Sequence, residues 1–195
     1  MIDNLEMSPA KPTESTALPI PLPPAGPTAF TIGFLTLLSD PSGVVGGYLL
    51  TNAWGRPLEF RMSTAVQPNR VQQILYGPTL TEYLHTDLIG KTLIEKTALA
   101  PALLVTDSVH ALALRSRMNV PTLVIDATES VGLIKLSHAR ASVALAYSSR
   151  FASDRAAIEE RLERVDPAVD LAEPFTRIRE AVVEARKMGV TTRAA

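Results

Sequence analysis

From Ala29 to Leu38 the chain reads Ala-Phe-Thr-Ile-Gly-Phe-Leu-Thr-Leu-Leu, and Val44 to Thr51 is nearly as apolar. Apolar runs of this length predict buried strands. Between them, Ser39-Asp40-Pro41-Ser42-Gly43 carries the residues of a type I turn. Asn52-Ala53-Trp54-Gly55 reads as a second hairpin loop. Leu58 to Val66 then reads as a third strand, in which Leu58, Phe60 and Met62 alternate with Glu59, Arg61 and Ser63. The three segments predict an antiparallel meander.

The period then lengthens. Val71, Ile74 and Leu75 form one helical stripe, which Gly77-Pro78 breaks; Leu80, Leu84, Leu88, Leu93 and Ile94 continue as a second helix. The run at Leu103 ends in Asp107 and the run from Val120 to Ile125 ends in Asp126, with a short helix between them that Ser108 is expected to cap. That pattern predicts a parallel βαβ unit with two carboxylates at the carboxyl edge of the sheet. Val143 to Tyr147 fits either a strand or an alanine-rich helix. Ser153 is expected to open a charged helix reaching about Val165, with Arg155 and Glu159 at pairing distance. A last helix, from Pro174 to Gly189, lines up Phe175, Ile178, Val182, Ala185 and Met188 on a stripe that should pack on the domain. The expected fold class is α/β: a three-strand antiparallel meander continuing into a parallel βαβ unit, helices on the sheet, and a helical C-terminal region.

Seven of the 15 prolines fall in residues 1–28. Proline lacks a backbone donor, so this segment is expected to be an extended, disordered leader excluded from a sheet interior. Residues 29–189 are then one α/β domain and residues 190–195 a flexible tail. Within the leader, Pro21, Pro23 and Pro24 offer a polyproline surface to a protein partner. A net charge of -1 supplies no field toward nucleic acid or a membrane surface. The absence of cysteine excludes disulfides, thiolate metal sites and a cysteine nucleophile. No apolar run reaches the roughly 20 residues of a membrane span, and the N-terminus lacks the pattern of a secretory signal. A cytoplasmic protein without membrane partners is expected.

Several motifs fail on inspection. Gly90-Lys91-Thr92 is not a phosphate-binding loop, because His85 stands where the motif needs its first glycine. Gly43-Val-Val-Gly46-Gly47 precedes a strand and so offers no helix to a dinucleotide; its glycines relieve crowding or allow a bulge. His85, His110 and His138 lack the spacing of a zinc site. The acidic residues carry more. Asp40, Asp107 and Asp126 are candidate metal ligands, since carboxylates at one sheet edge suit Mg²⁺ or Mn²⁺.

Leu104-Val-Thr-Asp-Ser108 is similar to the strand-four signature of the ribonuclease H-like superfamily. Asp40 followed by Ser42, Gly43 and Gly46-Gly47 resembles that family's first acidic motif, although Asp40 itself reads as part of a turn. Over residues 29–126 the resemblance implies the family's topology. It further implies Asp40, Glu82 and Asp107 as metal-binding catalytic residues, Asp170 near a fourth position, and Mg- or Mn-dependent phosphodiester cleavage.

Three functions are thus expected in order. The first is a non-catalytic binding or regulatory subunit for a protein partner, using the leader and the loop at Trp54 and Arg56, residue types enriched at binding hot spots. The second is the phosphodiesterase. The third is a nucleotide or small-ligand sensor at the edge near Asp107 and Asp126. A nuclease needs a basic track; Lys135, Arg140, Arg150, Arg155, Arg161 and Arg164 are the candidates, offset by Glu159, Glu160 and Glu163. Nucleic acid is therefore poorly supported.

Overall fold

A computed structural model describes residues 15–18, 30–127 and 131–189. Its centre is an eight-stranded mixed sheet: β1 (Ser15–Leu18), β2 (Thr31–Asp40), β3 (Gly43–Asn52), β4 (Pro57–Ser63), β5 (Leu103–Thr106), β6 (Thr122–Ile125), β7 (Leu133–Leu136) and β8 (Leu145–Ser148), in the order β1-β4-β3-β2-β5-β6-β8-β7. The meander β2-β3-β4 is antiparallel, and β5 and β6 extend β2 in parallel. Both units therefore match the alternation and apolar runs that announce them.

Helices cover both faces. On one lie α5 (Arg155–Glu163) and α6 (Glu173–Lys187). The other carries a broken helical chain: α1 (Arg70–Tyr76), a 3₁₀ turn (Gly77–Thr79), α2 (Leu80–Tyr83), a π-helical stretch (Leu84–Gly90) and α3 (Lys91–Glu95). The connection from β5 to β6, a 3₁₀ turn (Val109–Ala113) leading into α4 (Leu114–Met118), joins that second layer. Each face has its own core. Phe34, Leu162, Phe175, Ile178 and Val182 pack on the α6 side, where the rings of Phe34 and Phe175 meet edge to face at 5.8 Å. Leu35, Tyr48, Ile89, Leu93 and Leu114 fill the other.

Two adjacent glycines let both layers approach the same strand. Successive residues of a strand face opposite sides. A Cβ on Gly46 would run into Ile89 and Leu93, and one on Gly47 into Ile178. The glycines relieve crowding, and the bulge in β3 falls elsewhere, between Leu50 and Thr51.

Several expectations need correction. Asp40 is the last ladder residue of β2, paired with Gly43, and Pro41-Ser42 alone make the loop. Its carboxylate accepts the Ser42 N–H at 2.7 Å and the Ser42 hydroxyl, so the side chain closes the hairpin. Ser15–Leu18, inside the segment read as a disordered leader, forms an edge strand on β4. Prolines flank it at Pro12 and Pro19, yet its own four residues keep their donors. Val143 to Tyr147 resolves as a strand, because β6 and β7 pair with Leu145–Ser148 from both sides. Ser153 lies inside a 3₁₀ turn, Ser149–Asp154, and α5 begins at Arg155, whose Nε meets Glu159 at 3.0 Å. Met188 lies past the end of α6 and is 72% exposed, unlike the rest of its stripe. No helix among the described residues is long and apolar enough to cross a membrane.

Candidate functional site

The chain leaves β2 toward β3 on one side and leaves β5 toward β6 on the other, although β2 and β5 are parallel neighbours. The carboxyl ends of such a strand pair form a crevice where ligands of open α/β sheets often bind. Asp107 and Ser108 lie there, just after β5. Strand alternation sends their side chains to opposite faces. Toward α6, Asp107 Oδ2 accepts from the Thr36 hydroxyl at 2.6 Å and from Arg179 Nη2 at 2.5 Å. Burial pushes its carboxyl up from the usual range, while Thr36 and Arg179 pull it back. The residue thus pins α6 to the sheet.

Toward the π-helical layer, the Ser108 hydroxyl lies 2.9 Å from His85 Nδ1. The capping bond expected of Ser108 is not made. The His85 ring meets His110 edge to face at 5.8 Å. Burial first, then the charge of His110, holds His85 down to about 4, so it is neutral at neutral pH. A neutral imidazole can exchange a proton with the hydroxyl. Asp107 is directed across the sheet to Arg179, and therefore Asp107, His85 and Ser108 do not form a relay.

The other carboxylates are dispersed. Asp40 is bound by Arg186 and Ser42, which hold it well below its ordinary value. Asp126 follows the end of β6 in the left-handed region, with φ 56°. Glu82 lies on α2, at the rim of a cavity over the β6-β8-β7 end of the sheet. Asp170 sits between α5 and α6, accepting from the Ser142 hydroxyl at 2.7 Å and from the Ala172 N–H. Among the described residues no three His, Asp or Glu side chains could hold one metal ion. Asp40, Glu82 and Asp107 consequently do not converge on a common centre. Much of the basic track is also engaged: Arg140 on Val165 O, Arg161 on Ala102 O, Arg155 on Glu159, and Arg164 over the ring of Phe30 at 4.5 Å.

Trp54 stands at a braced hairpin tip. Asn52 Oδ1 accepts the backbone N–H groups of Trp54 and Arg56, and Arg177 donates to Gly55 O. The indole is 65% exposed. Pro21, Pro23 and Pro24 lie outside the described residues.

The stripe on α1, legible in the sequence, is uncovered in the structure. In α1, Val71, Ile74 and Leu75 are 62%, 65% and 64% exposed, and no residue of the helix is buried. The helix is nonetheless well held. Asn69 accepts from Gln72 N–H at 2.8 Å and the Gln72 side chain accepts from Asn69 N–H at 3.0 Å, a complete capping box. At its other end Tyr76 stacks on Tyr83 at 4.6 Å. The spacing Asn69-x-x-Gln72 was the available signal, and it marks a helix that starts without help from the core. No family model matches this sequence, and no curated protein is similar enough to it to count as a relative.

Proposed function

We propose that this chain is a non-catalytic, cytoplasmic binding subunit that engages a protein partner through the exposed face of α1. The single supporting observation is that three large aliphatic side chains on a capped helix face solvent together. Contiguous apolar patches on a soluble surface mark interaction sites. The helix carries one charge, Arg70, at its start. Its partner is accordingly an apolar groove with a carboxylate at one end. Trp54 belongs to a separate contact, at the hairpin that leads into β4, whereas α1 follows that strand's other end.

The order β4-β3-β2-β5-β6, with helices after β4 and after β5, supports kinship with the ribonuclease H-like fold. Phosphodiester cleavage has no comparable support, because Asp40 and Asp107 each hold an arginine. Folds of this kind host many functions, so the kinship leaves the binding role standing.

The test is the Leu75→Glu variant of the full chain. It should melt with the wild type, since Leu75 has no buried contact to lose, and should fail to retain a partner that the wild type captures. A partner held equally by both proteins would overturn the α1 surface, and an unchanged profile for a Trp54→Ala variant would dismiss the second contact.

A further inference from the structure

A cavity of about 700 Å³ opens over the β6-β8-β7 end of the sheet, bordered on one side by Val109 and His110. Its floor includes Leu112 and Leu133, part of a small separate apolar cluster with Val124 and Ala146. One wall comes from the helical layer and carries Glu82, His110 and Arg117. The facing wall comes from the ends of β7 and β8 and carries Ser148, Ser149, Arg150 and Phe151. The volume is that of a small-molecule site, apolar at its base with a few polar groups around it.

The charges of the two walls differ in how far they are committed. Arg117 is paired with Asp87 at 2.8 Å and donates to Ser116, which fixes its position at the rim. Arg150 is exposed and has no charge partner among the described residues, on a chain whose net charge is -1. The adjacent hydroxyls of Ser148 and Ser149 are donors beside it. Phe151 is held from one side by Arg115, whose guanidinium carbon lies 4.9 Å from the ring centroid and which is itself gripped by Asp154 through two hydrogen bonds. The result is a fixed aromatic ring, an apolar floor, an exposed guanidinium with hydroxyls and, among the described lining residues, one carboxylate across the gap.

We infer that this cavity binds a mononucleotide-sized organic phosphate. Arg150 and the serine hydroxyls supply donors for the several oxygens of a phosphate. Phe151 and Leu112 cover the apolar face of a base, and Glu82 accepts from a sugar hydroxyl or an exocyclic amine. The inference is independent of the α1 surface.

The experiment is a set of thermal melts of the full chain with AMP, adenosine and inorganic phosphate, each titrated into wild type and Arg150→Glu. AMP should raise the wild-type melting temperature with concentration, as expected of a ligand that binds only the folded state. Adenosine and phosphate alone should bind at least tenfold more weakly. Arg150→Glu should melt like the wild type without ligand and lose at least tenfold in AMP affinity. A wild type blind to AMP would overturn the site. So would adenosine or phosphate binding as well as AMP, or an AMP response that Arg150→Glu leaves intact.

Discussion

Two helices of this protein carry similar apolar stripes and meet opposite fates. In α6, Phe175, Ile178, Val182 and Ala185 are buried against the sheet; in α1, Val71, Ile74 and Leu75 stand in solvent. Both stripes have helical spacing, and both are legible in the sequence. The difference lies in what faces them. Gly47 opens a seat on β3 for Ile178, whereas α1, which follows β4 in the chain, buries none of its residues. On that side burial begins only at Leu84, where the π-helical stretch reaches the strands. Periodicity announces an apolar face; the sheet decides which face is covered.

Substitutions along the two stripes should separate them most sharply. Ile178→Ala leaves a hole between α6 and β3 and should cost about 2–5 kcal/mol in denaturant unfolding. A loss as small as that of a surface change would mean that α6 is not seated as described.

The next effect is a dependence on pH at the point where the α1 layer turns inward. His85 is held near 4 in the folded state, against an ordinary value of 6.5. On acidification the unfolded chain takes up its proton first. Stability is therefore full above pH 6.5 and is lost progressively toward pH 4, by up to about 3 kcal/mol. Unfolding curves for wild type and His85→Gln across that window should lie close together at neutral pH and separate in acid, where only the wild type has a buried imidazole to charge. Parallel curves would show that the His85–Ser108 pair is solvated rather than buried.

The smallest effect completes the contrast. Ile74→Ser should change stability by less than about 0.5 kcal/mol, because the side chain covers nothing within the chain. A cost near that of Ile178→Ala would show that α1 packs on its own protein.

Elements that one local pattern decides are legible in the sequence. Alternation at Leu58, Phe60 and Met62, and the paired apolar runs before Asp107 and Asp126, mark strands that the sheet contains. Contacts for which distant residues compete are not legible there. Ser108 has the position of a helix cap, but a histidine 23 residues earlier claims its hydroxyl. Asp40 and Asp107 have the positions of metal ligands, yet Arg186 and Arg179 reach them from α6, more than seventy residues later in the chain. β7 has too short and mixed a pattern to stand out, and it forms because β8 offers it a partner. The exposed stripe of α1 is visible as a stripe, while its exposure depends on what faces it.

The short strand β1 has a consequence for how the protein behaves at high concentration. Without Ser15–Leu18, the whole length of β4 would present unpaired backbone donors and acceptors at the margin of the sheet. Exposed strand edges template pairing between molecules. Four residues from a proline-rich segment therefore act as a stopper on that margin, and truncated forms lacking them should show light scattering that rises with concentration while the helical layers remain intact.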